Sequence, residues 1–138
     1  MRFNKERWEF GKASEKEIKP FLESIIGEPL IPTSKFYDTM DFESESYLIE
    51  LKTRSNKYHW DSPVILKEGW LLPECKIDRA KKETKKVLFF YFWASDQSLW
   101  TLEYSPEVFA DLKPKIPFWN PDRQPHFYVP QDEWTRIC

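Results

Sequence analysis

The run Tyr47-Leu48-Ile49-Glu50-Leu51-Lys52-Thr53-Arg54 decides the fold of this chain. Its composition predicts a strand, and the two-residue period of a strand sends alternate side chains to opposite faces. Ile49 and Leu51 then share one face, while Glu50 and Lys52 share the other. The run therefore predicts a strand that is anchored by an apolar face and presents a carboxylate and an ammonium group side by side.

A second β-rich run precedes it at residues 35–42, and the polar residues 43–46 separate the two. Two such runs around a short polar turn predict an antiparallel hairpin. The hairpin brings further acidic side chains next to the run 47–54. The register of the pairing decides which of them shares the face of Glu50.

Asp38 and Asp41 are the two candidates for this second carboxylate. Pairing of Glu43 with Ser46 across the turn places Asp41 on the polar face. The same register places Asp38 on the apolar face. An odd loop or a bulge would exchange the two positions, so we favour Asp41 and keep Asp38 as the alternative.

Periodicity and turn signals predict the remaining elements. A first helix over residues 14–26 begins at a Ser14–Glu17 capping box, and Pro20 is expected to bend it. The others are a strand within 64–72, a helix from Pro73 towards residue 86, a central strand over 87–93, a strand over 98–104 and a short helix over 106–112. This order predicts an α/β fold with a mixed central β-sheet flanked by helices.

The chain has 138 residues, which predicts a single domain. Its core is expected at about residues 14–104. Residues 105–138 form a Pro- and aromatic-rich C-terminal extension, with five prolines between positions 114 and 130. The bulky aromatic side chains of this extension are expected to pack on the core.

Composition excludes several kinds of protein. With a net charge of −2, a nucleic acid would have to be held by a local basic patch. Three glycines leave no glycine-rich phosphate loop, and two distant cysteines form neither a disulfide framework nor a zinc site. Without a signal peptide or a membrane-length apolar run, the chain is expected to be intracellular, cytoplasmic or associated with the nucleus or nucleoid, and not secreted.

The pattern of an acidic residue, any residue and lysine occurs five times, but only Glu50-Leu51-Lys52 lies in a β-rich run. Asp41 and Glu50 on one face would supply the hard oxygen ligands that Mg²⁺ prefers, and Mn²⁺ is expected to substitute for it. The backbone carbonyl of Leu51 is placed to complete the metal site. Lys52 is placed to orient a metal-activated water or to stabilise developing negative charge. Phosphodiester hydrolysis needs these functions.

Phe42-Glu43 and the run 47–54 resemble the central motif of the PD-(D/E)XK nucleases. The element order also matches this restriction-endonuclease-like family: helix, hairpin with the motif, third strand, helix, strand. The resemblance covers about residues 14–104, although Met40 stands where the family's name has proline before the aspartate. It implies a divalent-metal-dependent DNA endonuclease, rather than an exonuclease, that uses Asp41, Glu50 and Lys52.

Residues 14–18 are similar to the first helix of archaeal Holliday-junction resolvases, and the layout also resembles small viral and phage nucleases. This likeness implies that a glutamate early in the helix joins the metal site. The matching position is Glu15, and Glu17 is its rival. Many small members of the family are dimers, so the resemblance is compatible with a homodimer acting on branched or structured DNA.

The resemblance also implies contacts with nucleic acid. The family uses a polar residue on the second helix to touch the substrate, which indicates Lys76 or Arg79. We assign a further contact to Arg54, which lies two residues after Lys52 in the same run. No membrane partner is expected.

Three alternatives remain open at the level of sequence. The acidic and basic side chains of the hairpin could form an ordinary solvated face, where ion pairs contribute little. The same fold could also be a binding module for nucleic acid or protein that does not cleave. The chain could also be an unrelated structural protein whose Pro- and aromatic-rich tail is its interaction surface. Dependence on a divalent metal separates a nuclease from such a module.

Overall fold

The structure, a computed structural model, describes residues 5–33, 40–54, 69–117 and 124–138, with side chains in the first helix from Glu15 onwards. Asp38 and most of the strand predicted within 64–72 lie outside the described residues. None of the described helices is long and apolar enough to cross a membrane.

The described residues form three α-helices and eight β-strands. The helices are α1 (Lys5–Ile26), α2 (Glu74–Lys81) and α3 (Pro106–Ala110). The strands are β1 (Ile31–Pro32), β2 (Phe42–Glu43), β3 (Tyr47–Arg54), β4 (Trp70–Pro73), β5 (Lys86–Trp93), β6 (Ser98–Glu103), β7 (His126–Val129) and β8 (Thr135–Arg136).

The motif strand β3 lies inside a sheet of six described strands, in the order β1-β2-β3-β5-β6-β8. It pairs in parallel with β5 from Tyr47 opposite Lys86 to Arg54 opposite Trp93, and the other neighbouring strands pair antiparallel. α2 lies between β3 and β5 in the chain, as a crossover between parallel strands requires. The fold is therefore α/β with a mixed sheet.

Helix α1 packs on one face of this sheet. The buried cluster on that side joins Leu22 of α1 to Ile49 and Leu51 of β3 and to Phe90 of β5. The apolar face predicted for the motif strand is thus the face that α1 covers.

The opposite face of the sheet carries a larger core. Phe89 and Tyr91 of β5 pack there with Ile77 of α2 and with residues of the two-stranded sheet that β4 and β7 form. Because alternate residues of a strand face opposite sides, Glu50 belongs to this second face. The predicted polar platform therefore lies under a layer of protein.

Two predicted helix boundaries are wrong. α1 begins at Lys5, so Ser14 lies inside the helix and does not cap it. Residues 5–13 contain good helix formers and no proline, so nothing in them stops the helix. The helix also continues through Pro20. The second helix is shorter than predicted. α2 ends at Lys81, well before residue 86, because Lys86 begins β5.

The C-terminal extension supplies parts of both sheets. β7 pairs with β4, with His126 opposite Pro73, and β8 pairs with β6 at the edge of the large sheet. Phe127 and Trp134 are buried in the larger core. The extension therefore completes the layer that lies over Glu50.

Candidate active site

The β2–β3 hairpin brings two acidic residues to the same place. Glu43 of β2 lies opposite Leu48 of β3. The pairing ends with Phe42 opposite Ile49, and the Asp41 N–H donates to the same Ile49 carbonyl at 2.9 Å. Asp41 therefore lies close to Glu50, and its negative charge acts on the Glu50 carboxyl group.

The expected pairing of Glu43 with Ser46 is wrong. The Ser44 N–H donates to the Tyr47 carbonyl at 2.9 Å, which places the two-residue loop one position later. The carboxylate of Glu28 holds this turn, since its Oε1 accepts a hydrogen bond from Ser44 at 2.6 Å and its Oε2 one from Ser46 at 2.7 Å. The register shifts by two positions, so the paired residues Phe42 and Glu43 keep their predicted faces.

The Asp41 side chain is fixed against the motif strand. Its Oδ2 accepts a hydrogen bond from the Leu51 N–H at 2.8 Å. The backbone carbonyl of Asp41 accepts a hydrogen bond from the Thr33 N–H at 3.0 Å, so it is directed to Thr33 and not to β3. The carboxylate thus takes the place of a backbone acceptor and lies beside the residue between Glu50 and Lys52.

Glu50 is a buried carboxylate, with only 7% of its surface exposed. Its Oε2 lies 3.1 Å from the ammonium nitrogen of Lys76, an ion-pair distance, but has no well-aligned hydrogen-bond donor among the described residues. Burial, and then the negative charge of Asp41, raise the pKa of Glu50 to about 8. The positive charges of Lys76 and Lys52 oppose this shift.

Lys52 belongs to the same charged group. Burial and the neighbouring positive charge of Arg54 lower its pKa to about 8, while the carboxylates of Glu50 and Asp41 act in the opposite direction. The side chain keeps part of its surface exposed. Lys52 therefore loses its proton more readily than a free lysine, and it lies next to two acidic groups. Such an arrangement is typical of sites that perform chemistry.

Arg54 extends the basic side of the site along the same face of β3. Its Nε and Nη2 donate to the Tyr91 hydroxyl at 3.3 and 3.2 Å. That hydroxyl donates in turn to the Leu71 carbonyl at 3.3 Å. The guanidinium group is thus held in place by both layers of the protein.

The two residues predicted on the second helix have different positions. Lys76, near the start of α2, points to the site and pairs with Glu50. Arg79 donates from its Nε at 2.8 Å to Glu83, which lies two residues beyond the end of α2. The predicted role of Lys76 is contact with a substrate, and no sequence signal indicates its contact with the motif glutamate.

The described side chains contain no group of three or more His, Cys, Asp or Glu residues arranged to hold a metal ion. Glu15 therefore does not complete a set of three carboxylates with Asp41 and Glu50 in this conformation. Its role as a metal ligand, like that of its rival Glu17, remains a prediction. The available oxygen ligands are the two carboxylates and the carbonyl of Leu51.

His126 is a residue that the sequence did not connect to this site. It pairs with Pro73, the residue just before α2, and Lys76 lies in the first turn of that helix. Burial lowers its pKa, and the positive charges of Lys52 and Arg54 contribute to the shift. Only the pairing of β4 with the C-terminal extension brings it here, and no local sequence signal predicts that pairing.

Comparison with known proteins gives no relative. No protein-family model, curated protein or solved structure matches this chain.

Proposed function

We propose that this protein is a Mg²⁺-dependent nuclease of the PD-(D/E)XK type that cleaves DNA as an endonuclease. One observation carries the proposal. Glu50 is a buried carboxyl group that feels the negative charge of Asp41, and it lies two residues from Lys52. Nothing in the packing of the sheet calls for a second carboxylate beside a buried one, since their charges repel.

The donor set suits a hard divalent cation. Mg²⁺ binds one or two carboxylates and retains several waters, so Asp41, Glu50 and the Leu51 carbonyl are sufficient protein ligands. When bound, the cation would supply a water of lowered pKa and neutralise charge on a phosphate. Mn²⁺ is expected to support the same activity.

The other residues have separate roles in this proposal. Lys52 positions the attacking water and, as an ammonium group, stabilises negative charge that develops on the phosphate. Arg54, fixed by Tyr91, holds a phosphate oxygen of the DNA. Asp41 keeps its orientation through the hydrogen bond from Leu51, so the site needs little rearrangement before it binds.

The test is cleavage of branched, duplex and single-stranded DNA with Mg²⁺, with Mn²⁺ and with chelator. We expect metal-dependent cleavage, and a loss of several orders of magnitude in Glu50→Gln, which keeps the shape but loses the charge. Glu103→Gln, at an exposed position in the same sheet, is the matched control and should cleave normally. Absence of cleavage with both metals, or normal cleavage by Glu50→Gln, would refute the proposal.

A second candidate is a binding module that does not cleave. The ion pair of Lys76 with Glu50 favours it, because the ammonium group already supplies positive charge where a metal would be needed. Such a module would bind DNA equally well with and without Mg²⁺. Affinity measured in Ca²⁺ and in chelator, alongside the cleavage assay, separates the two functions.

A further inference from the structure

A groove of about 430 Å³ opens between the C-terminal end of α2 and the start of β5. It lies apart from the carboxylates of the candidate active site. Its walls are formed by Ala80, Lys81, Glu83, Lys85, Lys86, Val87, Tyr104 and Pro106. We refer to it as the lysine groove.

The charges in the lysine groove favour an anion. Three lysines line it against one carboxylate, Glu83, whose charge Arg79 offsets at 2.8 Å. Lys85 is already engaged, since its Nζ donates to the Ser44 carbonyl at 2.8 Å and lies 3.7 Å from Glu43. The exposed side chains of Lys81 and Lys86 are therefore the two that can meet a ligand.

The lysine groove is built on the same two elements that flank Glu50. Phe89 of β5 pairs with Glu50, and Lys86 lies three residues before it, about 10 Å along the strand. On α2, Lys81 lies five residues after Lys76, about 7.5 Å along the helix. The lysine groove and the candidate active site therefore share one helix and one strand.

From its charge and from its place on these two elements we infer that the lysine groove is a second phosphate subsite, which holds the backbone of the nucleic acid away from the cleaved bond. The inference rests on the proposed function, because it takes the cleaved bond to lie at Glu50. Lys81 and Lys86 bind phosphate oxygens, and the apolar walls at Val87 and Pro106 accommodate the sugars. Such contacts are independent of base sequence and fix the position of the strand.

Binding is tested with short duplex and single-stranded oligonucleotides in chelator, where no cleavage occurs. Lys81→Gln and Lys86→Gln should each weaken binding about fivefold at roughly 0.15 M salt, and each should lower the log–log salt slope by about one. Lys82→Gln removes the same charge from the neighbouring exposed residue outside the groove, and Lys16→Gln removes it from α1. Both controls should bind normally.

A second test uses the length of the substrate. Oligonucleotides are shortened one nucleotide at a time on either side of the cleaved bond. The wild type should lose affinity when the oligonucleotide becomes too short, on one particular side of the bond, to reach the lysine groove. The Lys81→Gln/Lys86→Gln variant should be insensitive to that shortening, and its cleavage should show a raised KM with an unchanged kcat.

The results separate this inference from the proposed function. If the protein cleaves DNA but the groove variants bind as tightly as the wild type, or no more weakly than Lys82→Gln, the lysine groove is not a subsite and the nuclease proposal stands. If the variants weaken binding but the wild type never cleaves, the groove binds nucleic acid and the nuclease proposal fails.

Discussion

Replacement of Glu50 by glutamine should stabilise the metal-free protein at neutral pH. The pKa of Glu50 is raised from 4.5 to about 8, so the unfolded chain ionises this group between those values while the folded chain keeps its proton. A raised carboxyl pKa costs nothing at acid pH, and the cost grows as pH rises from 4.5 towards 8. At pH 7 this cost to the stability of the folded protein amounts to about 3 kcal/mol, since each pH unit above 4.5 costs about 1.4 kcal/mol.

The assay is urea unfolding of the wild type and Glu50→Gln in chelator, from pH 4.5 to pH 8. The two proteins should be nearly equally stable at pH 4.5, and the variant should be more stable by about 3 kcal/mol at pH 7, or roughly 10 °C in Tm. The lowered pKa of Lys52 acts in a different window, since its cost is constant below pH 8 and is relieved as pH rises from there towards 10.5. Its main effect therefore falls above the pH range of the comparison.

Mg²⁺ should reverse this order of stability, so that the wild type becomes more stable than Glu50→Gln at neutral pH. The wild type should gain stability at pH 7 because the cation binds only the assembled site, and should gain less at pH 5, where protons compete for the ligands. Glu50→Gln should gain little at either pH. A variant that is no more stable than the wild type at pH 7 in chelator would show that Glu50 is already well satisfied when ionised, and the reasoning from its burial would be wrong.

Three further variants examine its neighbours. Asp41→Asn keeps the strand hydrogen bond through its amide oxygen, so its Tm without metal should be no lower than that of the wild type, while most of the Mg²⁺ response should disappear. Lys76→Gln should lower the stability of the metal-free protein by only about 1 kcal/mol, because Glu50 keeps its proton and so leaves no unpaired charge. Calorimetry should show that this variant binds Mg²⁺ more tightly, since no ammonium group has to be displaced. Tyr91→Phe should release Arg54 and raise the KM for DNA with little change in kcat.

The sequence predicted the sheet well because the decisive signals were local. The alternation in residues 47–54 and the apolar run at 87–93 correspond to β3 and β5, which lie side by side. Phe42 and Glu43 keep their predicted faces although the register was wrong, because that error was an even number of residues. A shift of one residue would have exchanged their faces.

The surroundings of the site could not be predicted in the same way. The turn is set by Glu28, which lies 16 residues before Ser44, and Lys76 reaches Glu50 only after α2 has packed on the sheet. The pairing of β4 with β7 joins residues more than fifty positions apart. Alternation assigns a side chain to a face, but long-range packing decides whether that face meets water or protein.

The burial of Glu50 is the strongest argument that this position serves a ligand. Its neighbours on the same face, Leu48 of β3 and Phe89 and Tyr91 of β5, are buried in the larger core, where an apolar residue would pack without an electrostatic cost. Replacing a buried ion pair by apolar side chains is often neutral or stabilising, so the contact with Lys76 does not explain the choice of glutamate. A cation that binds both Glu50 and Asp41 does explain it, because it removes the repulsion between them and makes the ionised form the stable one.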